Sequence, residues 1–158
     1  MKKVPYRTAL IAITTAFIIT IFINPGCKKD EVVVDHDYTL SGNANGAQEV
    51  PAAVNNATGT ITGSYNDETN VITYSITWTG LSGTANAAHF HGPALAGVNA
   101  NVVIPFTITN NAATGNLSGT ATLTEPQEAD MLAGLWYYNV HTTAKPGGEI
   151  RGQLTATK

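Results

Sequence analysis

The chain has 158 residues, with 8 basic side chains, 11 acidic side chains, 4 histidines and one cysteine. A single cysteine excludes an intramolecular disulfide, so the fold must rely on its hydrophobic core. The formal net charge of −3 argues against nucleic acid or an anionic lipid surface as a partner.

Residues 1–26 are predicted to be a lipoprotein signal peptide. Three basic residues precede an apolar run from Ala9 to Ile23, which is short for a membrane span. The run ends at residues 24–27 (NPGC), where a small residue before Cys27 resembles the cleavage and lipidation site of bacterial lipoproteins. An uncleaved anchor helix is the alternative, and it also places the domain outside the cytoplasm. Removing the signal makes the formal charge −6, because five basic and eleven acidic residues remain.

Residues 27–36 are predicted to be a tether between a lipid on Cys27 and the folded domain. The run at residues 28–31 (KKDE) resembles the export signals of some surface lipoproteins, and a solvated linker is the simpler interpretation. We therefore expect a lipid-anchored protein of the cell envelope, held at the outer membrane and either periplasmic or surface-exposed.

Residues 37–158 are predicted to form one all-β domain, and their number is ordinary for a single domain. Short runs rich in Thr, Val, Ile and aromatic residues are separated by Gly, Asn and Pro, as in strands joined by turns. This pattern favours an antiparallel β-sandwich or Greek-key barrel of about eight strands. The predicted strands span residues 37–44, 57–65, 71–79, 87–91, 102–108, 116–123, 136–142 and 149–156.

The second and third predicted strands are expected to pair as a hairpin through the polar residues 66–70 (NDETN). In the third strand, large apolar residues alternate with smaller polar ones. Side chains two residues apart share one face of a strand, so the apolar set should face the core. This set is Ile72, Tyr74, Ile76 and Trp78.

One short connecting helix is predicted to begin at Thr124. Gln127 follows three residues later and completes a capping box, while Pro126 suits the first helical turn. Gly134 is well placed to end the helix.

Three histidines form the main candidate site. His89 and His91 are two residues apart in one predicted strand and share one face, and His141 lies in another predicted strand. If the two strands pair, the three neutral imidazoles could bind copper or zinc, and we predict no other cofactor. The alternative is that each imidazole serves an internal hydrogen bond to a backbone carbonyl or to Glu149.

Glu49, Glu149 and Arg151 form a second candidate cluster, interpreted as a buried structural ion pair. Arg151 can clamp a carboxylate, and Glu49 is the first candidate partner. A catalytic carboxylate is the alternative, but no arrangement typical of a nucleophilic enzyme accompanies it, and no catalytic residue is assigned. Residues 145–148 (KPGG), just before this cluster, are predicted to be a turn.

Five motifs together resemble the CHRD domain, which is named from chordin, an extracellular antagonist of bone morphogenetic proteins. The resemblance spans nearly all of residues 38–156, and it implies a compact extracellular β domain whose bacterial members largely lack an assigned activity. The motifs are YTLSG at 38–42, QEVP at 48–51, AHFHGPA at 88–94, YNVHT at 138–142 and PGGEIRGQL at 146–154.

These observations predict a non-enzymatic, lipid-anchored binding or structural module, expected to be a monomer, with a candidate copper or zinc site. A metal-dependent redox enzyme is one alternative, because a His-x-His strand in a β-sandwich is similar to the copper site of copper/zinc superoxide dismutases. A cell-surface adhesion module is another. It would bind an unknown extracellular or periplasmic protein or polysaccharide, and exposure of Trp136 and Tyr138 would favour it.

Overall fold

The computed structural model of the protein describes residues 34–109 and 112–158. The predicted signal peptide, the lipidation site at Cys27 and most of the tether at residues 27–36 lie outside the described residues and stay predictions. Within the described part of the chain, no helix has the length and apolar character needed to span a membrane.

The described residues form an all-β fold with one short α-helix, as the sequence predicted. The helix α1 (Glu125–Leu132) connects β6 to β7, and a short 3₁₀ turn, Gly46–Gln48, follows β1. The strands are β1 (Asp37–Asn45), β2 (Thr58–Asn66), β3 (Val71–Thr79), β4 (Ala85–His91), β5 (Val102–Pro105), β6 (Gly115–Thr122), β7 (Tyr137–Thr142), β8 (Lys145–Gln153) and β9 (Thr155–Thr157).

The strands form one antiparallel sheet in the order β5-β4-β7-β8-β1-β2-β3-β6, with β9 also paired to β1. The sheet curls over on itself. Tyr74 of β3 packs against Phe90 of β4 with ring centroids 5.2 Å apart, although β7, β8, β1 and β2 separate these strands in the sheet. This curled sheet encloses the core between its two halves and has the sandwich character expected from the sequence.

The β2–β3 hairpin confirms the predicted alternation. Its register is continuous from Thr58 opposite Thr79 to Asn66 opposite Val71. The four predicted core residues of β3 are at most 6% exposed. Burying side chains of this size stabilises the fold by roughly 1.5–3 kcal/mol each.

The helix begins and ends as its sequence signals predicted. The backbone N–H of Thr124 donates to Gln127 Oε1 at 2.9 Å, which is half of a capping box. Gly134 follows the helix with a φ of +71°, a conformation that glycine adopts without strain. Met131, fully buried, anchors the helix to the core.

The turn between β7 and β8 differs from the predicted one at residues 145–148. The turn occupies residues 143–144, and β8 begins at Lys145. Pro146 and Gly148 lie in an irregular part of the strand pairing, where the register shifts. A bulge tolerates a proline without an N–H and a glycine with a φ of +123°. The turn-like sequence therefore marks a bulge inside a strand.

Strand β7 is buried on both faces. Tyr138 and Val140 point into the core and are fully buried. The residues of the opposite face, Tyr137, Asn139 and His141, are each at most 9% exposed. The loop at residues 92–101 covers the Tyr137 end of this face, and the Pro146 carbonyl lies against His141. This second, more polar layer contains the candidate site.

Candidate metal centre

The three predicted histidines meet on the outer face of β4 and β7. These strands pair with His89 opposite Asn139, which places His89, His91 and His141 on one face. His89 Nδ1 and His141 Nε2 are 3.2 Å apart, although the residues are separated by 52 positions. One nitrogen from each of the three rings lies within 4.8 Å of the others.

The spacing suits one metal ion. A tetrahedral ion with Zn–N bonds of about 2.0–2.1 Å holds its nitrogen ligands about 3.3 Å apart. The separation of His89 Nδ1 and His141 Nε2 already meets this value, and small rotations would bring His91 to it. The described residues include no other group of three or more His, Cys, Asp or Glu side chains with this convergence.

Backbone carbonyls fix the tautomers of two rings. His91 Nδ1 donates to the Ala100 carbonyl at 3.0 Å, and His141 Nδ1 donates to the Pro146 carbonyl at 2.9 Å. A carbonyl oxygen only accepts hydrogen bonds, so both Nδ1 atoms carry the proton and both Nε2 atoms keep a lone pair. Metal-binding histidines are oriented in this way by their outer hydrogen bonds.

Burial lowers the pKa of all three imidazoles. For His89, repulsion from His141 and His91 adds to this effect. For His91 and His141, the hydrogen bonds to backbone carbonyls raise the pKa, but the lowering by burial is larger. The rings are therefore neutral at neutral pH, the state that a metal ion requires. His91 and His141 are 9% exposed and His89 is half-buried, so the cluster reaches solvent on the His89 side.

Asn139 belongs to the same cluster and was missed by the sequence analysis. Its Oδ1 lies 2.9 Å from His141 Nε2 and 3.1 Å from His91 Nε2. The signal was present in the sequence, because Asn139 and His141 are two residues apart on one strand and must share a face. A lone asparagine is common in turns and carries little metal-binding signal, so the motif alone did not single it out.

A stack of three side chains supports His91. The His91 ring lies parallel to the Tyr137 ring, with an interplanar angle of 2° and centroids 4.8 Å apart. The Arg151 guanidinium carbon lies 3.3 Å from the centre of the Tyr137 ring, a cation–π contact. The stack limits how far the His91 ring can rotate.

Arg151 also holds the covering loop in place. It donates to the Val98 carbonyl at 2.5 Å and to Asn99 Oδ1 at 3.2 Å. The same loop supplies the Ala100 carbonyl that orients His91. Arg151 therefore connects the sheet to the loop that sets the tautomer of a candidate ligand.

The predicted ion pair of Glu49, Glu149 and Arg151 is not a direct contact in the structure. Neither carboxylate lies within salt-bridge distance of Arg151, and the salt bridges of the described residues both involve Asp67. Glu149 instead accepts three hydrogen bonds, from the Ser82 N–H and from the hydroxyls of Ser82 and Thr142. Burial raises the pKa of Glu149, but these bonds outweigh it and hold the pKa below its ordinary value.

Glu49 is the exceptional carboxyl group of this layer. It is 6% exposed, and within the described residues its Oε1 has no hydrogen-bond partner. Burial raises the pKa of Glu49 to about 7, against the smaller opposing effects of the Arg151 charge and the Val50 N–H. Arg151 thus acts on Glu49 at longer range than a salt bridge.

Replacing Glu49 by glutamine should stabilise the protein more at pH 8 than at pH 5. The pKa of Glu49 is about 7 in the folded protein, above the ordinary value of 4.5 that applies to the unfolded chain. The stability that Glu49 contributes is therefore fully present below pH 4.5 and is lost as the pH rises through 7. Glutamine does not ionise and escapes this loss. Urea unfolding of both proteins from pH 5 to pH 8 measures the difference, in which the histidine contributions cancel. A pH-independent difference would contradict the raised pKa.

In a comparison with protein families, the model of the CHRD domain matches residues 40–154. The matched range includes the histidine cluster, Asn139, the covering loop and Arg151. Comparisons with curated proteins and with solved structures found no match.

Proposed function

The chain belongs to the CHRD family, and we propose that it is a non-enzymatic extracytoplasmic module that binds one copper or zinc ion through His89, His91 and His141. Family membership supports a module without catalytic activity. The metal site is argued from the residues themselves, since a fold does not by itself assign a function.

The observation that supports the proposal most directly is the convergence of three imidazoles. In two of them the Nδ1 proton already donates to a backbone carbonyl, which leaves Nε2 free to bind a metal. His91 and His141 each use Nδ1 to donate to a carbonyl. His141 turns Nε2 toward His89, and His91 turns Nε2 toward Asn139. The inward lone pairs are what a copper or zinc ion requires.

Attachment to the membrane belongs to the same proposal. It is supported by the pattern of residues 1–26 and by the single cysteine, Cys27, at the position of lipidation. A lipid on Cys27 and the short tether at residues 27–36 would hold the domain close to the outer membrane. The metal site would then face the periplasm or the exterior.

The proposal is tested by calorimetric titration of the protein with copper and with zinc. We expect one ion per chain for the wild type. The double variant His89→Ala, His91→Ala should bind at least about 100-fold more weakly, because even loss of an outer hydrogen bond to a ligand costs about 10–100-fold in metal affinity.

His36→Ala is the matched control, because it removes the fourth histidine without touching the cluster. His36 pairs with Asp67 in the β2–β3 turn. Its loss should leave metal binding unchanged. A folded wild-type protein that binds neither metal would contradict the proposal and leave the three histidines as hydrogen-bonding residues.

A metal-dependent redox enzyme is the second candidate function. The observation that favours it is the partial exposure of His89, which gives a small molecule access to the ion. The adhesion alternative lacks the feature that would favour it, since Trp136 and Tyr138 are fully buried.

A further inference from the structure

Four electron-pair donors converge in the cluster when Asn139 is included. Asn139 Oδ1 lies 2.9 Å from His141 Nε2 and 3.1 Å from His91 Nε2, and His141 Nε2 lies 3.2 Å from His89 Nδ1. Asn139 is 3% exposed and stands directly opposite His89 in the strand register. Its amide is thus held at the centre of the histidine cluster.

The proton positions make this arrangement informative. The Nδ1 protons of His91 and His141 are committed to backbone carbonyls, so both Nε2 atoms present lone pairs to Asn139. The amide oxygen also presents lone pairs. An acceptor facing two acceptors at hydrogen-bond distance is unfavourable. Either a cation between the atoms or a half-turn of the amide, which brings its NH₂ group toward the two rings, removes the conflict.

A metal ion among these atoms resolves the repulsion while leaving the amide oxygen where the structure places it. Three of the six separations among the four atoms, at 2.9, 3.1 and 3.2 Å, are slightly shorter than the 3.3 Å or so of a tetrahedral site with bonds of about 2.0–2.2 Å. The histidine nitrogens lie within 4.8 Å of one another, and small side-chain rotations would bring three nitrogens and one oxygen around the ion. Neutral amide oxygens of Asn and Gln bind Ca²⁺, and a glutamine oxygen is the weak axial ligand in some copper sites.

We infer that Asn139 is the fourth protein ligand of the proposed ion, through Oδ1, and that it closes the coordination sphere. The inference rests on the proposed metal-binding function. Catalytic zinc sites keep one position for water or substrate, whereas four protein ligands leave none. A closed site therefore holds its ion without offering a position for chemistry.

The test uses the cobalt(II)-loaded protein, because its visible spectrum reports coordination number, and azide as a small probe of open positions. We expect the wild type to show an intense four-coordinate spectrum that azide does not change. Asn139→Ala should open one position, so that azide shifts the spectrum saturably with a one-to-one stoichiometry.

Two variants serve as controls. Asn139→Asp keeps an oxygen at the ligand position and should stay insensitive to azide concentrations that saturate Asn139→Ala. Asn86→Ala removes an exposed amide from the strand that carries His89, and it should leave the cobalt spectrum unchanged.

A wild-type spectrum that responds to azide would overturn the inference, and this result is decisive even if Asn139→Ala does not fold. Identical spectra and equal azide insensitivity for wild type and Asn139→Ala would also overturn it. Both outcomes leave the three-histidine site intact. Failure of the wild type to bind copper, zinc or cobalt would instead overturn the proposed function together with this inference.

Discussion

Arg151→Ala is expected to lower the free energy of unfolding by about 3–5 kcal/mol, because it removes two hydrogen bonds from a charged group, worth roughly 1.5–3 kcal/mol each. Arg151 is 1% exposed, donates to Val98 and Asn99, and stacks on Tyr137. Alanine leaves the Val98 carbonyl without its donor and removes the positive charge that favours ionised Glu49. Urea unfolding at pH 7 measures the loss.

Arg151→Lys separates the charge from the shape of the side chain. Lysine keeps a positive charge but cannot reproduce the planar group that contacts Val98, Asn99 and the Tyr137 ring together. An intermediate loss of stability is expected. An alanine variant with the unfolding midpoint of the wild type would show that Arg151 does not hold the covering loop.

Gly148→Ala is expected to cost about 2–4 kcal/mol. Gly148 has a φ of +123°, which strains any residue with a Cβ, by roughly 1–2 kcal/mol. Its Cβ would also meet the Glu49 carboxyl group, within 2.8 Å of Oε2 and closer still to Cδ and Oε1. Displacing a buried carboxyl group adds an overpacking cost of roughly 1–3 kcal/mol.

A double-mutant cycle with Glu49→Ala tests the cause of this loss. Without the carboxyl group, Gly148→Ala should cost only the backbone strain. The double variant should therefore lose less stability than the sum of the two single variants. Gly147→Ala is the matched control, because its Cβ would meet nothing within 4 Å. Additive effects of Glu49→Ala and Gly148→Ala would show that the two residues are not in contact.

Much of the fold follows from local patterns in the sequence. The alternation of Ile72, Tyr74, Ile76 and Trp78 identifies the core face of β3, because side chains on a strand repeat every two residues. The capping signals at Thr124 and Gly134 locate the helix for a similar reason, since each acts within a few residues. The family resemblance is equally local, and the CHRD match over residues 40–154 confirms it.

The candidate site could be predicted only in part. The spacing of His89 and His91 places them on one face, but the pairing of β4 with β7 decides whether His141 joins them. Strand order and register depend on contacts between residues far apart in the chain. The convergence of the three imidazoles was therefore a hypothesis until the structure brought the strands together.

The partners of the charged residues differ from the predicted ones for another reason. The buried ion pair was predicted from side chains alone, because Arg151 can clamp a carboxylate and Glu49 and Glu149 are the charged residues of the neighbouring motifs. The covering loop instead supplies the Val98 carbonyl to Arg151, and Ser82 supplies donors to Glu149. Backbone groups of distant loops are invisible to a pattern of side chains.

The sequence by itself thus determined the strand faces, the helix and the presence of a histidine pair, all of which depend on spacings of two to four residues. Tertiary structure decided whether the third histidine joins that pair, where Asn139 lies relative to the three rings, and which groups Arg151 contacts. The physical reason is that these contacts join residues dozens of positions apart, through a register and a loop position that only the packed chain defines.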